Sequence, residues 1–135
     1  MRKLLVVSSF IIAGFIAPIN YSFAGTIPYC GKGVPPKNNN EFDEFRNAKL
    51  QLEKYLKEKD QEQEPGKAKA KKPTVFHNRE GKLPKSPRMV YYEFPLGKDR
   101  KQLGGQHRAV IGYGDGVTAY YYTTDHYDSF CRIPD

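Results

Sequence analysis

Arg108-Ala109-Val110-Ile111-Gly112-Tyr113, then Gly114-Asp115-Gly116, then Val117-Thr118-Ala119-Tyr120-Tyr121-Tyr122-Thr123: two runs rich in valine, isoleucine and tyrosine meet at a short polar step. Residues of this kind fit a pleated, half-buried surface, and the Gly-Asp-Gly step predicts a tight turn between two strands. Outward from this pair, Thr74-Val75-Phe76, Met89 to Phe94 and Ser129 to Ile133 carry the same strand signature. Before them the period changes. From Glu41 to Asp60, Phe42, Phe45, Ala48, Leu52, Tyr55 and Leu56 recur at helical spacing among Lys and Glu, which predicts one amphipathic helix. Asn40 is the expected N-cap, and Glu41, Asp43 and Glu44 stand where the helix dipole favours negative charge. One helix followed by a succession of short strands predicts an α+β domain, the helix lying on one face of an antiparallel sheet of about four to five strands.

The flanks bound the rest. Residues 1–24 begin with Arg2-Lys3, continue with an apolar run from Leu4 to Ala17 and end on small residues at Ser22 and Ala24, the pattern of a secretory signal peptide cleaved after Ala24. The apolar run is short for a membrane span and is ended by Pro18 and Asn20, so no stable membrane association is expected after cleavage. What remains, 135 − 24 = 111 residues over 25–135, suffices for one small core. Removing Arg2 and Lys3 lowers the net charge from +7 to +5, still basic, which favours a polyanionic partner over an acidic protein. Residues 61–73 hold Gln, Glu, Lys, Ala, Pro and Gly without a large apolar side chain, the composition of a solvated loop. In an oxidising compartment Cys30 and Cys131 are expected to pair, a bridge that on the chain-entropy model stabilises the fold by about 4–5 kcal/mol. No Cys/His cluster has zinc-ligand spacing, and neither a metal nor a cofactor is expected.

Strand parity sorts the polar residues. Val90, Tyr92 and Phe94 point one way and Tyr91 and Glu93 the other, while Arg108 and Val110 oppose Ala109 and Ile111, so Glu93 and Arg108 can share the face turned away from the helix. Alone, such a pair is most simply an exposed cross-strand ion pair. His126, in the strand-end loop Thr123-Thr124-Asp125-His126-Tyr127, changes its meaning. Cleaving RNA through its own 2′-hydroxyl needs a base for that proton, an acid for the departing 5′-oxygen and positive charge at the phosphoryl oxygens. Glu93 fits the base, His126 the acid and Arg108 the charge, a guanidinium being able to donate parallel hydrogen bonds to phosphate. A base that works ionised and an acid that works protonated predict a bell-shaped rate profile. His77 and His107 are expected to be plain surface residues.

The block Thr123-Thr124-Asp125-His126-Tyr127-Asp128-Ser129-Phe130 resembles the C-terminal signature of the small secreted guanyl-specific bacterial ribonucleases, the barnase-like family. Val75-Phe76-His77-Asn78-Arg79-Glu80-Gly81-Lys82-Leu83-Pro84 resembles that family's guanine-recognition segment, and Tyr91-Tyr92-Glu93 the strand carrying its base. The resemblance implies an endoribonuclease that cleaves single-stranded RNA after guanosine to a 2′,3′-cyclic phosphate and then a 3′-phosphate. It implies Glu93 as base, His126 as acid and Arg108 as phosphate ligand. Backbone N–H groups of Asn78 and Arg79 would meet guanine O6, a buried Glu80 carboxylate would accept from N1–H and the amine, Phe76 would stack near the base, and Tyr127 would bond the phosphate. The terminal cysteines are similar to the bridge of the disulfide-bearing members. A monomer, secreted or periplasmic, is implied, together with a small acidic barstar-like inhibitor protein in the producing cell.

Two features depart from that pattern. Gly104 stands where the family has a second arginine, with Arg100 and Lys101 near enough in sequence to supply the charge. The lysine-rich stretch Lys67 to Lys72 either tracks the RNA backbone or is an idle surface loop. The alternatives to an enzyme are a catalytically impaired RNA-binding module on the same fold and a surface protein whose lysines bind an anionic polymer.

Overall fold

The computed structural model describes residues 25–37, 40–61, 68–97 and 106–135. The expected signal peptide lies outside the described residues, as do Lys67, Arg100, Lys101 and Gly104. The element order is α1 (Glu41–Lys59), β1 (Thr74–Phe76), β2 (Val90–Pro95), β3 (Arg108–Gly114), β4 (Val117–Thr123) and β5 (Cys131–Ile133). The strands form one sheet in the order β1-β2-β3-β4-β5, every neighbour antiparallel. At the β3–β4 turn Asp115 and Gly116 have φ of 51° and 73°, the pair of positive values that a two-residue hairpin turn of type I′ requires. Gly114, just before it, has room for no side chain: a Cβ there would stand 2.1 Å from the Arg88 carbonyl oxygen.

Helix α1 buries Glu41, Phe45, Ala48 and Leu52 along one stripe, against Tyr92, Phe94, Ala109, Ile111, Tyr122 and Ile133 of the sheet. Phe42 departs from the expected stripe. It is 39% exposed, with the Lys37 ammonium 5.4 Å from its ring centroid, and the side chain that takes the buried place is Glu41. Asn40 caps the helix through its backbone rather than its side chain: it is left-handed (φ 60°), makes no side-chain cap bond, and its carbonyl accepts from Glu44 N–H at 2.9 Å.

A fully buried carboxylate needs partners. Glu41 has two, accepting from the Tyr122 hydroxyl and pairing with His107 Nδ1 at 2.7 Å. His107 is therefore not the surface residue its sequence context suggested. It ties the first turn of α1 to the start of β3, and the hydroxyl of Tyr122 is pushed well above the usual tyrosine range by burial and by the Glu41 carboxylate.

The other face of the sheet is also covered. Leu83, Tyr91, Val110, Ala119, Tyr121 and Phe130 form a second buried cluster, with Ile27, Phe76, Met89 and Tyr127 packed on it. Strand β5 begins at Cys131 rather than Ser129, because Ser129 and Phe130 belong to the loop before it. The expected disulfide is present, joining Cys30 to Cys131. Beside it Cys30 N–H donates to the Arg132 carbonyl and Arg132 N–H to the Pro28 carbonyl, each at 2.8 Å, so the segment around Tyr29 lies parallel to β5.

Candidate active site

Register fixes the first two groups. Glu93 pairs with Val110, and Arg108 stands two positions before Val110 on β3, so the carboxylate and the guanidinium are diagonal neighbours on the face away from α1. They are joined through a third side chain. The Tyr127 hydroxyl donates to Glu93 Oε2 at 2.7 Å and accepts from Arg108 Nε at 3.1 Å. Burial, with the Glu93 carboxylate next, holds that hydroxyl up at about 12, so it stays a donor at neutral pH. Arg108 Nη1 donates to the His107 carbonyl at 2.9 Å, which orients the guanidinium from behind.

The loop between β4 and β5 supplies His126, whose exposed ring lies 4.7 Å from that of Tyr127. Both residues are left-handed, with φ of 54° and 78°. Tyr127 in turn stacks on Phe76 of β1 at 4.9 Å and 29°, and Phe130 meets Phe76 edge-on at 5.9 Å. The three residues singled out for chemistry thus gather around one tyrosine.

The 76–83 loop is fixed from within. Asn78 donates through Nδ2 to the Leu83 carbonyl (2.8 Å) and accepts through Oδ1 from Leu83 N–H (3.0 Å), and its own carbonyl accepts from Gly81 N–H (3.0 Å). Asn78 and Gly81 are left-handed, and Asn78 tolerates this better than most residues. With the Asn78 side chain so engaged, the loop offers outward its backbone groups and the exposed side chains of His77, Arg79, Glu80 and Lys82. Glu80 is not the buried carboxylate expected. Phe76, Asn78 and Arg79, with Lys85 and Tyr91, line an open hollow of ≈ 620 Å³.

Lys71 and Lys72 line a separate groove with Asn47 and Gln51 of α1, and Glu93 lies at its border. Sequence reasoning missed the bonds that shape the His126 loop. The hydroxyl–acid–hydroxyl spacing of Thr123, Asp125 and Ser129 is a turn signal that could have found them. The Asp125 carboxyl is held down at about 2, first by the bond from the Ser129 hydroxyl.

A model of the ribonuclease family matches residues 28–134, which contain every one of these groups. The chain belongs to that family. Guanyl-specific ribonuclease St of Saccharopolyspora erythraea is 46% identical over 61 residues, covering 42% of this chain and 54% of that protein. The chain thus spans about half the length of this curated relative. No solved structure matches.

Proposed function

We propose that this ribonuclease is a secreted endoribonuclease that cleaves single-stranded RNA after guanosine by transfer to the 2′-oxygen. The observation that carries the proposal is the join of Glu93 to Arg108 through the Tyr127 hydroxyl, with the His126 ring beside it. Glu93 takes the 2′-hydroxyl proton, O2′ bonds to phosphorus as the bond to O5′ breaks, and His126 gives O5′ its proton. Arg108 offsets the charge that gathers on the phosphoryl oxygens. With the two roles exchanged, water opens the 2′,3′-cyclic phosphate to a 3′-phosphate. Tyr127, whose hydroxyl already touches base and guanidinium, is placed to turn its donor to a phosphoryl oxygen once substrate enters.

Base selection is assigned to the backbone N–H groups of Asn78 and Arg79 and to the Glu80 carboxylate. A carboxylate facing the two donors on one guanine edge would meet an acceptor on adenine, and an unpaired polar contact is expensive. Guanine covering Glu80 and stacking near Phe76 would supply the burial that the free loop lacks. The basic charge favours RNA, and the disulfide fits an oxidising compartment. A small acidic inhibitor in the producing cell fits the same reading, since the basic chain presents complementary charge.

The test is incubation with defined oligoribonucleotides in EDTA. Cuts after G that leave a cyclic phosphate are expected. Binding without cleavage would replace the enzyme with an impaired RNA-binding module, and a failure to bind would remove both.

A further inference from the structure

Among the described residues, no side chain hydrogen-bonds the His126 imidazole, whose ring lies tilted 4.7 Å from that of Tyr127. A histidine that transfers protons is ordinarily aimed by a partner on its second ring nitrogen. Here the aim comes from the backbone. Asp125 Oδ1 accepts from the Thr123 hydroxyl at 2.8 Å and from Ser129 N–H at 2.9 Å, and Oδ2 accepts from the Ser129 hydroxyl at 2.5 Å. The Thr123 oxygen accepts in turn from Tyr127 N–H at 3.2 Å. His126 N–H donates to the Gln106 carbonyl at 3.0 Å. Between the two anchored ends, His126 and Tyr127 stand in consecutive left-handed conformations that residues with a Cβ rarely adopt.

From this geometry we propose that Asp125 is a positioning residue for the acid: its carboxylate closes the loop so that the His126 ring stays aimed at the leaving oxygen. The proposal rests on the function assigned above and adds a residue outside the reacting set. Its chemical signature is dependence on the leaving group. When the P–O5′ bond of RNA breaks, the alkoxide must take a proton from the imidazolium. When a 4-nitrophenyl ester breaks at the same phosphorus, the aryl oxide departs as a stable anion and needs none. Attack by O2′, assisted by Glu93, is common to both.

Asp125→Asn keeps the shape but puts an NH2 where one acceptor oxygen stood. Its kcat/KM on a GpN dinucleotide is expected to fall about 10- to 100-fold, as partial loss of general-acid assistance would produce, while its rate on guanosine 3′-(4-nitrophenyl phosphate) stays near wild type. In a His126→Ala background the same change should cost RNA cleavage nothing further, because two residues acting through one proton transfer are not additive. Equal loss on both substrates, additive loss with His126→Ala, or unchanged RNA cleavage would each overturn the proposal. Ser129→Ala, which removes one bond from the loop, should give the same pattern at smaller size and decides the matter if Asp125→Asn does not fold. Failure of the wild-type chain to cleave RNA at all would be a different result, overturning the function rather than the role of Asp125.

Discussion

Tyr127 is the residue on which the site closes: its hydroxyl meets Glu93 and Arg108, and its ring meets His126 and Phe76. Parity along β2 and β3 made the Glu93–Arg108 pairing legible in the sequence, because alternation fixes which face a strand residue takes. The bonds of Tyr127 were not legible, since they depend on where a loop returns. If Glu93 and His126 hold the base and acid roles, Glu93→Gln and His126→Ala should each lower RNA cleavage about 10²- to 10⁴-fold with circular dichroism unchanged; near-wild-type turnover would remove the assignment. Glu80, exposed in the free chain, offers a cleaner separation. Glu80→Ala should leave the melting temperature alone and lower the preference for G over A about 10- to 100-fold, read from competition between two oligonucleotides. Asp125 gives a pH dependence of known sign. Its carboxyl falls from an ordinary 3.8 to about 2 on folding, so the ionised form stabilises the folded chain above pH 3.8 and that contribution disappears as pH falls through about 2. Thermal melts of wild type and Asp125→Asn between pH 2 and 5 should therefore converge on the acid side, whereas a constant gap would assign the stabilisation to something other than the charge.

At the scale of elements, the helix, the five strands and the Asp115-Gly116 turn follow from period and turn chemistry, and their bounds differ from expectation by a residue or two. The larger differences have specific causes. Ser129 and Phe130 look like strand residues, yet Asp125 draws the N–H and the hydroxyl of Ser129 into the loop and the second apolar cluster takes Phe130. Glu41 looks like a solvated first-turn acid that complements the dipole, and His107 like a surface histidine. Each is only half of a pair created when the helix docks, which no local window contains. That pair holds α1 to β3 immediately behind Arg108, whose guanidinium bonds the His107 carbonyl. His107→Ala should cost about 1–3 kcal/mol by urea unfolding, because it takes one of two partners from the buried Glu41 and leaves it the Tyr122 hydroxyl. Adding Glu41→Gln should recover part of the loss. A single variant as stable as wild type would show that the carboxylate is carried by Tyr122 alone.

For the molecule as a whole, the disulfide is the long-range constraint. It joins residues 101 apart in sequence and fixes the segment before the helix to β5, the strand that follows the His126 loop. Phe130, adjacent to Cys131, packs against Tyr121 and Phe76 beneath that loop, so the bridge anchors the far end of the segment that carries the imidazole. A bridge closing a loop of this length restricts the unfolded chain strongly, and its removal is expected to cost about 4–5 kcal/mol on the chain-entropy model, a large share of the stability of a small domain. The Cys30→Ala/Cys131→Ala variant should therefore unfold at a markedly lower urea concentration than the oxidised chain. Cleavage of RNA at low temperature should persist, because Glu93 and Arg108 sit on strands paired independently of the bridge. Reductant should reproduce the effect in wild type and leave the variant unaffected. An unchanged midpoint would mean that the hydrogen bonds between Pro28, Cys30 and Arg132 already supply the closure, whereas loss of activity in a folded variant would make the bridge part of the site rather than a constraint on the chain.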